Sequence, residues 1–230
     1  MLTSTDASIF EITPKEVTYP KDRNDLIDTI RNILSDKKPF TMRAGGTSIG
    51  GQAIGSGMLV DISKYLNNIV DFFEDRKEII VEPGVIQDDL NSFLQSYNLK
   101  FAPDTSTSNR AMIGGMIGNN SCGSYSIFYG TTRDHVKSIE VILSDGSLVE
   151  FKELTEKELD NKLSMQNLEG DIYRFVINLL NNNQQEILDS FPDESLIRRN
   201  TGYALDELIR KYKPFNKDGK CFNLASLVCG

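Results

Sequence analysis

Asn109-Arg-Ala-Met-Ile-Gly-Gly-Met-Ile-Gly-Asn-Asn-Ser-Cys-Gly123 constrains this chain more than any other stretch. Its spacing predicts a short helix from Ala111, with Ala111, Gly114, Gly115 and Gly118 at i, i+3, i+4 and i+7 on one face. Met112, Ile113, Met116 and Ile117 fall on the other side, where they can enter a core. Each glycine costs such a helix about 1 kcal/mol relative to alanine. A face stripped of side chains has two uses: close packing of another backbone, or close approach of a flat ligand. Thr105, Ser106, Thr107, Ser108 and Asn109 precede the helix with hydroxyls and amides, and a helix N-terminus attracts phosphate.

A second glycine-rich stretch, Arg43-Ala-Gly-Gly-Thr-Ser-Ile-Gly-Gly-Gln52, follows a predicted strand. Adjacent glycines let successive N–H groups converge on an anion, with Thr47 and Ser48 as further donors. The stretch lacks the GK[ST] ending of a P-loop and matches GxGxxG poorly. A tight strand-to-strand turn is the alternative reading. Two such loops in one chain favour a long diphosphate ligand.

The rest of the pattern predicts an α+β chain of two α/β subdomains. The first, residues 1–65, is a small, mostly parallel βαβ sheet. It contains a helix with Leu26, Ile27, Ile30, Ile33 and Leu34 on one face, capped by Asp22 or Asn24, and strands at 39–43 and 58–61. The second, residues 66–230, is a larger, mainly antiparallel sheet with helices, and the ligand is expected between the two. Here a strand is predicted at 79–82, then a helix carrying Ile86, Leu90, Phe93, Leu94 and Tyr97. Ser138–Leu143 and Leu148–Phe151 read as a hairpin whose Asp145-Gly146 suits positive φ. Helices follow from Thr155, with Glu158 completing a capping box, and from Asp171, with Ile172, Phe175, Val176, Leu179 and Leu180 inward.

Charge and cysteine content exclude several functions. With 25 basic and 33 acidic side chains, the net charge of −8 disfavours a nucleic-acid surface. Nothing reads as a signal peptide or a membrane span, and three cysteines without CxxC spacing fit a reducing cytoplasm. The single histidine, His135, has no partner at metal-ligand spacing. The apolar ending Asn223–Gly230 reads as a cut through a longer protein.

Four motifs in unbroken order, RAGGTSIGGQ, VEPGVIQDDLN, FAPDTSTSNRAMIGGMIGNNSCG and YGTTRDHVKSIEVILSDG, resemble the FAD-binding domain of FAD-linked oxidases of the vanillyl-alcohol oxidase and p-cresol methylhydroxylase type. The likeness spans about residues 15–152, and Arg199–Tyr203 and the final Leu-Val-Cys-Gly share it less distinctively. It is strongest toward the glycolate oxidase, D-lactate dehydrogenase and D-2-hydroxyglutarate dehydrogenase branch. The resemblance implies a flavin pyrophosphate on Ala44, Gly45, Gly46, Thr47, Ser48 and Ile49, with Gly51 and Gln52 near by. It implies Pro103, Asp104, Ser108, Gly114, Gly115, Gly118, Asn119, Asn120, Ser121 and Gly123 along the ring and ribityl side.

Relatives that attach FAD covalently do so through a histidine in the first loop. Thr47-Ser48 stands there instead, which implies noncovalent FAD. The implied reaction is oxidation of a small 2-hydroxy acid by hydride transfer to flavin N5, with a base and a cation for the carboxylate. Arg133, His135 and Arg199 are the local candidates, and no catalytic residue is assigned. A substrate or cap domain is expected beyond residue 230. An iron–sulfur region or partner is implied as electron acceptor, and with it a cytoplasmic protein held at the inner membrane through that partner. The alternatives are a flavin electron-transfer module without its own substrate and an enolpyruvyl reductase-type flavoenzyme.

Overall fold

Three short strands, β1 (Glu16–Thr18), β2 (Phe40–Arg43) and β3 (Met58–Asp61), form a sheet of order β1-β3-β2 with both pairings parallel. This computed structural model describes residues 3–196 and 202–230. Helix α1 (Arg23–Ser35) starts where Asp22 accepts a hydrogen bond from the Asp25 N–H at 2.9 Å, and buries Ile27, Ile30 and Ile33. Leu59 and Val60 of the central strand are wholly enclosed. The parallel run is therefore a buried one, and β2 delivers Arg43 directly into the first glycine-rich loop.

Next comes an antiparallel pair, β4 (Ile69–Phe73) with β5 (Glu78–Val81), whose register shifts between Ile69 and Asp71. Phe72 packs against Phe93 and Tyr97, ring centroids 5.6 and 4.4 Å away, around helix α2 (Gln87–Gln95). The glycine helix, α3, spans Ile113–Gly118, and α4 spans Ser126–Tyr129. Ala111 lies just before α3, where its carbonyl accepts from the Gln87 N–H at 2.9 Å. Ile113 and Met116 are buried, as the spacing predicts.

The remaining elements are the hairpin β6 (Ile139–Ile142) and β7 (Leu148–Phe151), then α5 (Glu156–Ser164), α6 (Leu168–Ser190), α7 (Leu205–Lys211) and α8 (Ala225–Val228). Their core gathers Phe151, Leu154, Tyr173, Val176, Leu180, Leu208, Phe222 and Leu224. Thr155 and Glu158 form both halves of the expected capping box. The hairpin turn differs from expectation. Only Gly146 has positive φ (+80°), and Gly146 N–H donates to Leu143 at 2.9 Å, so Asp145 stays in an ordinary turn conformation. Helix α6 also starts earlier than Asp171, because Asn167 caps it through the Gly170 N–H at 3.0 Å. That frame buries Tyr173 and leaves Phe175 exposed.

Two compact units result: Met1–Met116 with Gly123–Tyr125, and Ile117–Cys122 with Ser126–Gly230. Instead of one larger antiparallel sheet, the described residues carry two separate two-stranded hairpins. Each has its own apolar partner: Phe72 of the first meets the aromatic side of α2, while Val149 and Phe151 of the second enter the core of the second unit. Among the described residues no helix is long and apolar enough to cross a membrane.

The three cysteines sit in different surroundings, which gives a direct check of the fold. Cys221 is exposed, Cys122 half-buried and Cys229 buried. Burial pushes the Cys229 thiol up to about 11, against the opposing pull of Arg133. With Ellman's reagent at pH 8, Cys221 is expected to react first and Cys229 only after unfolding. Fast modification of Cys229 in the native protein would contradict this arrangement.

Candidate functional site

Within the first unit the two glycine-rich loops meet. A Cβ built on Gly45 would lie 2.2 Å from the Arg110 carbonyl oxygen, so only glycine allows the backbones to approach this closely. A Cβ on Gly115 would touch only the Ala44 methyl, at 3.6 Å. The first loop thus lies beside the bare face of α3, although about 60 residues separate them along the chain.

The first loop is held by its own side chains. Arg43 donates to the Ala53 carbonyl at 3.1 Å, and its guanidinium fills the space that a side chain on Gly46 (φ +61°) would need. Ser48 donates to Gln52, whose Oε1 also accepts from the Gly50 N–H at 3.1 Å. By contrast, none of the backbone N–H groups from Gly45 to Ile49 donates a hydrogen bond within the described residues. Gly45 through Ser48 are only partly exposed, and Ile49 is open to solvent. Partly buried N–H groups left unpaired in a row are what an anion cradle requires.

The second loop is laced to the segment before α2. Ile113 N–H donates to Val85 at 2.9 Å, Gly114 N–H to Pro83 at 2.8 Å, and Asp88 N–H to Ser108 at 3.1 Å. Gln87 is buried, and its amide donates to the Pro103 carbonyl while accepting from Thr105 at 2.9 Å. Sequence reasoning quoted Gln87 within a motif without giving it this role; a polar side chain at the inward start of a helix was the available signal. Asp104 accepts from the Tyr125 N–H at 2.8 Å and from the Ser124 hydroxyl at 2.9 Å. Desolvation pulls its pKa upward, but these two donors and Lys100 outweigh it and hold the carboxyl below the usual range.

The predicted glycines divide into two kinds. Gly114 is pressed on Pro83 (2.7 Å to a built Cβ) and Gly123 on Asp104 (1.4 Å), so both are packing positions. Gly115 has only the Ala44 contact, and Gly118 has nothing within 4 Å. In the second unit Asn120 is buried at φ +47° and accepts from the Arg133 N–H at 2.9 Å. Ser121 donates to Asn119 at 2.6 Å, and its carbonyl accepts from Thr132 at 2.7 Å. These residues brace a turn as well as adjoining the bare helix.

Two of the three candidates for base and cation have partners in the fold. Arg133 donates to the Cys229 carbonyl, and His135 Nε2 lies 2.8 Å from the Tyr129 carbonyl oxygen. Arg199 lies outside the described residues. Among the described residues no group of three His, Cys, Asp or Glu side chains is placed to hold a metal ion.

Comparison with known proteins identifies the family. Residues 14–152 match the model of the FAD binding domain. The chain is 34% identical over 230 residues to D-2-hydroxyglutarate dehydrogenase of Pantoea ananatis, covering 99% of the chain and 22% of that protein. It is 36% identical over 231 residues to the enzyme of the same name from Escherichia coli (strain K12), with the same coverage of 99% and 22%. It is also 34% identical to the glycolate oxidase subunit GlcD of Bacillus subtilis, over 61% of the chain and 30% of that protein. The chain therefore spans about a fifth of the D-2-hydroxyglutarate dehydrogenases it matches. A solved alkyldihydroxyacetonephosphate synthase shares the fold at a TM-score of 0.55 and 15% identity, over 61% of this chain and 26% of that one. With the family model covering well over half of its residues, the chain belongs to the FAD-binding domain family.

Proposed function

We propose that this chain binds FAD noncovalently and serves as the flavin-binding part of a dehydrogenase that oxidises a small 2-hydroxy acid. The observation that carries the reading is the unpaired N–H run Gly45–Ile49 lying beside the bare face of α3. In this reading Ala44, Gly45, Gly46, Thr47, Ser48 and Ile49 hold the pyrophosphate, with Gly51 and Gln52 shaping the loop. Pro103, Asp104, Ser108, Gly114, Gly115, Gly118, Asn119, Asn120, Ser121 and Gly123 form and brace the wall for the ribityl chain and ring. The flavin would supply the hydride acceptor; the chain's own contribution is to orient it and exclude side chains from its path. The absence of a histidine in the first loop supports noncovalent attachment.

The substrate class rests on likeness to D-2-hydroxyglutarate dehydrogenases and to a glycolate oxidase subunit. Division into flavin subdomains at residues 65 and 66 belongs to this reading, since the parallel sheet precedes that point and the second loop follows it. So do a cytoplasmic location, and electron transfer to an iron–sulfur region or partner. Titration with FAD, with FMN and NADH as controls, is expected to give saturable, FAD-selective binding with a shift in flavin absorbance. Equal affinity for all three ligands, or none for FAD, would refute the assignment. With no tryptophan in the chain, indole quenching cannot confuse the fluorescence readout.

A further inference from the structure

Residues 4–12 make a strap across the first glycine-rich loop. Thr5 and Glu11 pair in antiparallel fashion, and Ile12 N–H donates to Ser4 at 2.8 Å, closing residues 4–12 into a small hairpin. The hairpin meets the loop at three places. Ala7 N–H donates to the Gly46 carbonyl at 3.1 Å. The Asp6 carboxylate accepts from the Ala53 N–H at 3.4 Å and from the Ser8 N–H at 2.8 Å, near the Arg43 guanidinium. The Phe10 ring lies 3.1 Å from the space a side chain on Gly51 (φ +80°) would occupy.

These contacts fall within the unpaired N–H run, at Gly46, and just beyond it, at Gly51 and Ala53. A glycine-rich loop has the most conformational freedom to lose on ordering, and that cost is subtracted from ligand affinity unless it is met beforehand. The strap adds to the ordering that Arg43, Ser48 and Gln52 provide from within the loop. The bond from Ala7 to the Gly46 carbonyl fixes the Gly46–Thr47 peptide plane, and with it the direction of the Thr47 N–H, while Asp6 with Arg43 ties down the loop's far end at Ala53. Most of the hairpin's apolar side chains do not serve the core: Ile9 and Phe10 are largely exposed. Its buried interactions are therefore chiefly polar ones aimed at the loop. Asp6 itself is pulled upward by desolvation, but donors from Ser8 and Ala53 and the nearby Arg43 hold it below the usual carboxylate range, so it is charged at neutral pH.

We propose that residues 4–12 hold the first glycine-rich loop in its diphosphate-binding conformation, with Asp6 as the positioning residue. The proposal rests on the FAD reading above. It is tested in the full chain with Asp6→Asn and Asp6→Glu, by calorimetric titration with FAD and with ADP and by amide hydrogen exchange across 46–53. Asp6→Asn is expected to weaken both ligands by the same factor, about tenfold, the worth of one charge-assisted hydrogen bond. Asp6→Glu, which keeps the charge, should stay within about threefold of wild type. Exchange at 51–53 should quicken in Asp6→Asn while the ligand-free Tm is unchanged.

Wild-type affinity in Asp6→Asn would overturn the proposal. So would a lower Tm and weaker binding shared equally by Asp6→Asn and Asp6→Glu. If the wild type binds neither FAD nor ADP, the flavin reading fails separately. Exchange at 46–53 then decides the strap alone, and unchanged exchange in Asp6→Asn overturns it.

Discussion

Gly115→Val is expected to abolish FAD binding while leaving the fold intact. A Cβ at this position has only the Ala44 methyl near it, at 3.6 Å, so the valine is not forced into packed atoms. Its branches instead project from the bare face of α3 beside the first loop. Valine is also a somewhat better helix former than glycine, so stability should change by less than about 1 kcal/mol. If the flavin lies against this face as proposed, filling the space should weaken FAD at least about a hundredfold, or ~3 kcal/mol. Isothermal titration together with a thermal melt checks both halves. A Gly115→Val protein that melts like wild type and still binds FAD tightly would place the flavin elsewhere.

Gly123→Ala should do the opposite, damaging the fold first. The added methyl would sit 1.4 Å from the Asp104 carbonyl oxygen and 2.5 Å from its carbonyl carbon, both backbone atoms that cannot rotate away. The backbone at 104 or 123 must move. The bonds from Ser124 and the Tyr125 N–H to the Asp104 carboxylate are then placed at risk. Overpacking against rigid backbone, with these solvent-exposed hydrogen bonds disturbed as well, is expected to cost about 2–3 kcal/mol. Urea denaturation should show a lower midpoint at an unchanged slope. If Gly123→Ala is as stable as wild type, the tight approach at Asp104 is not as described.

Much of this organisation was legible in the residues. The parallel strands around Arg43 and Leu59, the caps at Asp22 and Thr155, and the apolar side of α3 follow from local pattern, because each depends on neighbours a few positions away. Strand β4 was missed because its partner register is interrupted at Val70, which breaks the alternation a strand reading needs. Helix α7 was missed because its buried face includes Asp206 and Glu207, whose charges mask the period. Phe175 falls one step, about 100°, from Val176 and off the face that Tyr173, Val176 and Leu180 bury, and a run of neighbouring apolar residues hides which of them marks the centre of that face. The strap was invisible for a different reason. Nothing in Thr5-Asp-Ala-Ser-Ile-Phe10 has a period, and its partners lie some forty residues away in the loop. Spacing likewise could not separate Gly114 from Gly115, since only the position of Pro83 tells which of the two is already covered.

That separation has an evolutionary consequence. Gly45, Gly114 and Gly123 are fixed by folding alone, because each faces protein atoms too close for a methyl group. Gly115 and Gly118 have no such constraint from the protein. On the proposed reading, in which a ligand alone keeps 115 and 118 bare, a descendant that had abandoned it would be free to acquire side chains there while keeping the other three glycines. Among diverging copies of this domain, substitution confined to those two positions would mark the lineages in which the cradle no longer has an occupant.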